Sequence, residues 1–190
     1  MKRAWVHVIA GLGLAVAAMS PVSAQEWEFD PSVLFADSRV LLQRAPDREI
    51  DQLLQALHAS AQQPDEAAAM CAAFDPDSGP AIDALQDAAS QLGDASRERF
   101  ALAISGVLVA AAQHPPQALD ERMGMQALKA AGATAAILND GFIAGLNGDE
   151  PRARCRAVGQ LLDGLQTRPL PERAAATRLL LREGLKRLRF

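Results

Sequence analysis

The chain has 190 residues, a net charge of −4 and 49% hydrophobic residues, but only 4% aromatic residues and no tyrosine. This length is enough for one domain with a buried core. Alanine is abundant and runs of β-branched residues are missing, which predicts an all-α fold and argues against a β-sheet protein. The acidic balance argues against a nucleic-acid partner.

Residues 1–24 have the pattern of a secretory signal peptide. Lys2 and Arg3 precede an apolar run over residues 4–19, and small residues close the segment at Ala24. The run is shorter than the roughly 20 residues that a membrane span needs. We therefore expect cleavage near Ala24, a periplasmic or secreted product and no transmembrane helix after cleavage. An uncleaved N-terminal anchor is the alternative.

Charge is unevenly distributed along the chain. Residues 25–100 contain 15 acidic and 5 basic residues, whereas residues 168–190 contain 7 basic and 2 acidic residues. The acidic first half and the basic last helix could attract each other, or could present two different surfaces to partners.

Hydrophobic spacing and turn signals predict a single domain over residues 25–190, made of about seven to eight helices. Asp30-Pro31 has the pattern of a helix start, and Asp94 and Asp149 are candidate caps of later helices. The predicted helices cover approximately residues 30–44, 47–61, 64–74, 78–92, 95–113, 117–146, 149–166 and 171–189.

The fifth predicted helix contains the most apolar stretch of the mature chain, Phe100 to Ala112. Because it is apolar all round, we predict it as the central buried helix. Asn139-Asp140-Gly141 is a candidate break or kink in the sixth. Glycine is costly inside a helix unless a neighbour needs the space, so three glycines predict close helix packing: Gly124, Gly132 and Gly145.

Cys71 and Cys155 are the only cysteines, and each falls on the apolar face of a predicted helix. In an oxidising compartment an even pair predicts a disulfide. Two buried thiols that never meet are one alternative. A catalytic Cys155, with its pKa lowered by neighbouring arginines, is another.

No other residues form a recognisable chemical motif. His58 and His114 lack metal-ligand spacing, and Asp75-x-Asp77-x-Gly79 is interpreted as a polar turn rather than a calcium loop. We expect no catalytic residue, no metal and no cofactor.

The basic residues of the last predicted helix are the best candidate for a binding face. They suit an acidic protein or an anionic membrane surface. The alternative is that they complement the acidic N-terminal half of the same chain. The six residues are Arg173, Arg178, Arg182, Lys186, Arg187 and Arg189.

Gly141-Phe142-x-x-Gly145, then Cys155, then two closing helices resembles the helical amidase-immunity proteins of type VI secretion. A second cysteine close to Cys155 would be expected there, whereas Cys71 is far upstream. We expect an exported, non-catalytic binding or accessory protein with an unidentified protein or envelope component as partner. A periplasmic immunity protein against a cell-wall-degrading toxin is the alternative, and a helical hydrolase or small-ligand binder comes third.

Overall fold

Nine α-helices and no strand make up the part of the chain described by the computed structural model, residues 38–73 and 81–187. The all-α prediction is confirmed. The signal peptide, the helix start at Asp30 and the polar turn after Phe74 lie outside the described residues. The helices are α1 Ser38–Arg44, α2 Asp47–Ala61, α3 Pro64–Ala73, α4 Ala81–Gln91, α5 Asp94–Gln113, α6 Glu121–Leu138, α7 Phe142–Asn147, α8 Pro151–Gln166 and α9 Leu170–Arg187.

The predicted helix over residues 117–146 is two helices, which explains why there are more helices than expected. Gly141 lies between α6 and α7 with φ of 82°, in the left-handed region that favours glycine. The Nδ2 of Asn139 donates to the carbonyl oxygen of Ala135 at 3.0 Å and closes the end of α6. α6 also begins later than predicted, where the Asp120 carboxylate accepts the Met123 N–H at 2.8 Å.

At the starts of α8 and α5, a glutamate accepts backbone N–H groups, whereas Asp149 and Asp94 were the predicted caps. Glu150 caps α8, because its carboxylate accepts the N–H groups of Arg152 and Ala153, and Asp149 does not. Gly93, not Asp94, is the cap residue of α5, and it has no side chain to accept its own helix's N–H groups. Glu66 of α3 reaches across instead and accepts the Gly93 N–H at 3.1 Å.

Four helices form the core of the described structure. α9 and α8 each contact both α2 and α6, around a shared apolar cluster. Alanines supply half of this cluster, so the helices approach closely. Its buried members are Leu54, Ala127, Ala131, Leu162, Leu165 and Ala176.

Two glycines are required where these helices cross. A Cβ added to Gly124 of α6 would lie 2.7 Å from the Ala175 carbonyl oxygen of α9. A Cβ on Gly164 of α8 would lie 2.5 Å from the Ala131 carbonyl oxygen of α6. The packing prediction is confirmed for Gly124. It is wrong for Gly132, where an added Cβ would find an ordinary contact at 4.0 Å.

The other helices pack around this core. α5 packs against α1 and α2, and α1 also contacts α9, around Leu42, Ile50, Val107 and Ala174. The α3–α4 pair lies against α2 and α8 through α3. All the described helices belong to one compact unit. None of them combines the length and the apolar character needed to cross a membrane.

The structure corrects the predicted position of the most apolar helix. α5 lies at the periphery, with Ala103 and Val107 buried and Leu102 and Val109 largely exposed. The central helix is α9, which contacts α1, α2 and α6. α5 contacts α1 and α2, which cover one side of it. Its apolar residues on the side away from α1 and α2 therefore stay exposed.

Candidate functional site

Arg173, the first of the predicted binding arginines, is held by a carboxylate of the same chain. Its Nε and Nη2 donate to the two carboxylate oxygens of Asp51, each at 2.7 Å, and its Nη1 donates to the Arg168 carbonyl oxygen at 2.8 Å. The hydrogen bonds to Asp51 are the main reason that the pKa of Arg173 is raised above its ordinary value. Such a two-pronged pair fixes α9 against α2.

Arg178 is buried, with 6% of its surface exposed. Its Nε donates to the Leu42 carbonyl oxygen at 3.1 Å, its Nη2 to the Ala45 carbonyl oxygen at 2.6 Å, and its Nη1 to the Asp47 carboxylate at 2.5 Å. The guanidinium therefore serves as the C-terminal cap of α1 and also neutralises the first residue of α2.

Arg182 lies nearer the surface and pairs with Glu121 of α6 and with Glu183. The hydrogen bond to Glu121 contributes most to raising the pKa of Arg182. The three arginines whose side chains are described thus bind acidic groups of their own chain, and Asp47 and Asp51 belong to the acidic N-terminal half. Arg178 cannot belong to an exposed binding face. The side chains of the other three candidates lie outside the described residues: Lys186, Arg187 and Arg189.

The predicted disulfide is present. Cys71 of α3 and Cys155 of α8 are joined, with an S–S distance of 2.01 Å and a Cα–Cα distance of 5.6 Å. A disulfide sulfur has no thiolate form, so Cys155 is not a nucleophile in this state. The bond fastens the α3–α4 pair to the core.

The histidines have ordinary polar neighbours. His58 Nε2 lies 2.8 Å from the Asp163 carboxylate, and Gln62 donates to the same oxygen at 2.9 Å. His114 Nδ1 lies 2.8 Å from the Ala110 carbonyl oxygen at the end of α5. Among the described residues, no group of three or more His, Cys, Asp or Glu side chains is arranged to hold a metal ion.

Glu66 is the most buried carboxylate of the described chain and joins α3 to the start of α5. It accepts the Ser96 hydroxyl at 2.6 Å and the Gly93 N–H at 3.1 Å. The Ser96 hydroxyl is the main reason that the pKa of Glu66 is lowered, and the positive charge of Arg99 contributes in the same direction. Sequence reasoning missed Glu66 because its partners Gly93 and Ser96 lie 27 and 30 residues further along the chain.

A cavity of about 170 Å³ lies between α9, the start of α2 and the segment before α6. Its charged groups are already engaged. Arg178 binds Asp47, Arg182 binds Glu121, and Asp120 caps α6. These groups hold the walls together instead of converging on the open volume.

The two most exposed large aliphatic side chains of the described residues lie at the end of α6, where Ile137 is 83% exposed and Leu138 is 73% exposed. Ile143 and Leu146 of α7, the next helix, are also exposed. We call these four residues the α6–α7 corner. An open depression of about 480 Å³ lies beside the corner, between Ala136 and Asn147, and Ile143 is the corner residue that lines it.

Sequence reasoning missed the α6–α7 corner, although one signal was present. The buried face of α6 repeats every four residues as Ala127, Ala131 and Ala135. Ile137 comes two residues after Ala135, which turns it away from that face.

A second exposed apolar surface belongs to α5. Leu102 is 66% exposed, Val109 is 59% exposed, and Ile104 is also exposed. Leu102 and Val109 are seven residues apart and lie on the same side of α5, whereas Ile104, two residues after Leu102, lies on another side. We call Leu102 and Val109 the α5 face.

No family model, no curated protein and no solved structure matches the chain.

Proposed function

We propose that the protein is an exported, non-catalytic binding protein of the bacterial envelope, and that the α6–α7 corner is the surface that binds its partner protein. The observation that carries the proposal is the exposure of four large aliphatic side chains in two adjacent helices. Exposed groups of this kind mark interaction sites more often than isolated apolar residues do. The pattern of residues 1–24 supports export.

The chemistry around the corner favours a particular kind of partner. Asp140 lies between α6 and α7, and Asp149 and Glu150 follow α7 after Gly148; all three are exposed. Interfaces commonly combine an apolar centre with a polar rim. We therefore expect a partner with an apolar patch flanked by basic residues.

The scaffold under the corner supports a preformed site. Phe142 at the start of α7 is buried against Ala135 and Ala157. An added Cβ on Gly145 would lie 2.8 Å from the Ala153 carbonyl oxygen, so α7 lies directly on α8. The disulfide then fastens α8 to α3 through Cys155. A rigid surface loses little conformational entropy when it binds.

Site-specific photocrosslinking in the producing cells tests the proposal. A photoreactive residue at Ile137 should give one discrete adduct, and the same residue at the exposed Gln126 of α6 should give none. Leu138→Asp in the Ile137 probe chain should abolish the adduct while the disulfide and the helical circular dichroism remain. Equal adducts at both positions, or none at Ile137, would contradict the proposal.

A narrower version names the partner as a secreted cell-wall-degrading toxin. It is supported by position: the residues that resemble amidase-immunity proteins, Gly141 to Gly145, lie in α7 and the turn before it. Phe142 and Gly145 are buried, and Ile143 between them belongs to the α6–α7 corner. The test adds the purified protein to a cell-wall amidase encoded beside its gene. We expect inhibition that Ile143→Asp removes, and an uninhibited amidase would refute this version.

A further inference from the structure

The α3–α4 pair contributes little to the apolar core of the described structure. None of the described side chains of α3 or α4 belongs to the three buried apolar clusters, which are built by other parts of the chain. The buried apolar side chains that the two helices do have are the small ones of Ala69 and Ala88. Segments with few buried apolar contacts open at a lower free energy than the core of the same protein. The position of the pair therefore depends on individual bonds.

One set of these bonds lies at the base of the pair, where the chain leaves α2 and enters α5. Glu66, in the first turn of α3, accepts the Gly93 N–H and the hydroxyl of Ser96, which is 1% exposed. The Ser96 oxygen in turn accepts a hydrogen bond from Nη2 of Arg99 at 2.5 Å. We call these four residues the base contact. It joins the start of α3 to the start of α5 and contains no sulfur.

The disulfide holds the other end of α3. Cys71 follows Glu66 by more than one helical turn and is joined to Cys155 of α8. Beside this bond, the Ala67 carbonyl oxygen lies 3.3 Å from the Cys155 sulfur. Both cysteines are half-buried, so the bond lies outside the fully buried core. The covalent hold on the end of α3 therefore depends on the oxidation state of two half-buried cysteines.

We propose that reduction of this disulfide by a dithiol releases the α3–α4 pair from α8 while the base contact stays closed. The dithiol passes two electrons and two protons to the disulfide. The S–S bond breaks to give two thiols, and the dithiol becomes a disulfide. The two helices then move together about the base contact, because α4 packs on α3. The pair is thus closed on α8 in oxidising surroundings and released from it in reducing ones.

Hydrogen exchange measured by NMR compares the oxidised natural protein with the same protein treated with dithiothreitol, a dithiol. After reduction, the amides around Cys71 and those of α4 should exchange at least about ten-fold faster. They should exchange completely at labelling times at which α6 and α9 are still protected. In the oxidised protein the end of α3 should stay protected at those times.

Gly93 reports the base contact, because its own N–H donates to Glu66. In the reduced protein this amide should stay protected after α3 has exchanged. Glu66→Ala removes the acceptor and should expose the Gly93 amide in either oxidation state. Glu98→Ala removes an exposed carboxylate of α5 and should leave the Gly93 amide protected, which makes it the matched control.

A variant without the bond separates reduction from other effects of the dithiol. Cys71→Ser should show the exchange pattern of the reduced protein without any dithiol, and dithiothreitol should not change that pattern further. Helical circular dichroism shows that the variant is folded. The reduced natural protein gives the same test if Cys71→Ser fails to fold.

Three results would overturn the proposal. One is an α3 that stays as protected as α6 after reduction, because noncovalent contacts alone would then hold the pair closed. Another is a loss of protection in all helices at the same labelling time, because the disulfide would then support the whole fold. The third is a Gly93 amide that loses protection together with α3, because the base contact would then open too. None of these bears on the α6–α7 corner or the α5 face, whose residues lie outside α3 and α4.

Discussion

α5 and α9 differ in the way that their composition relates to their position. α5 is uncharged for most of its length, yet large aliphatic residues on one side of it face water. α9 carries arginines along its length, yet it packs against α1, α2 and α6 and buries Arg178. The comparison shows that a charged side chain can be buried when carbonyl and carboxylate oxygens meet it. An apolar side chain is buried only where a neighbour reaches it.

Arg178→Ala tests the α9 half of this comparison and should have the largest effect. It leaves the carbonyl oxygens of Leu42 and Ala45 without their donor and Asp47 without its cation. We expect a loss of about 3–5 kcal/mol in the free energy of unfolding, measured with urea. Arg97→Ala, which removes a pair with Asp94 on the surface of α5, should cost less than about 1 kcal/mol. Similar losses for the two variants would contradict the central role of α9.

Removal of the disulfide measures how much the link between α3 and α8, which does not involve α9, adds to the free energy of unfolding. Residues 71 and 155 close a loop with a sequence separation of 84. The double substitution Cys71→Ser and Cys155→Ser should lower the free energy of unfolding by about 2–4 kcal/mol. Urea unfolding of the oxidised and reduced natural protein should give a similar difference. An unchanged midpoint after reduction would contradict a stabilising disulfide.

Alanine substitutions at Gly124 and Gly106 compare how tightly α6 and α5 pack against their neighbours. Gly124→Ala would place a methyl group 2.7 Å from the backbone of α9 at Ala175, so we expect a loss of about 1–3 kcal/mol. Gly106→Ala on α5 would meet only the flexible Gln52 side chain at 3.4 Å. It should be neutral or stabilise by up to about 1 kcal/mol, because alanine favours the helix. Thermal unfolding of both variants checks this order.

The start of α5 should make the protein sensitive to acid. The pKa of Glu66 is lowered in the folded state, so its contribution is complete above the ordinary pKa of a glutamate. It is lost as the pH falls through the lowered value. Glu66→Gln should therefore flatten the fall in unfolding free energy below about pH 5. Glu98→Gln, on the exposed side of α5, is the matched removal of one charge, and an equal flattening there would contradict the assignment.

Local features of the fold could be predicted from the sequence because their causes lie within a few residues. The bounds of α2 follow from Pro46, the apolar spacing and the polar residues after Ala61. The glycine break before Phe142 follows from the conformation that only glycine adopts readily. The disulfide followed from the number of cysteines together with the predicted compartment.

The remaining features depend on partners distant in the sequence. Arg178 lies 136 residues from Leu42, whose carbonyl it binds, so nothing near either residue predicts its burial. Glu66 replaces a local cap from 27 residues away. The exposure of Ile137 follows from the position of α8 and α9 around α6, and apolar spacing alone does not give that position.

The central claim is that the α6–α7 corner binds the partner while the arginines of α9 hold the fold. One crosslinking comparison in the producing cells tests it, with a photoreactive residue either at Ile143 of the corner or at the exposed Leu180 of α9. We expect a discrete adduct from Ile143 and none from Leu180. An adduct from Leu180 alone would contradict it and would return the binding surface to the basic helix.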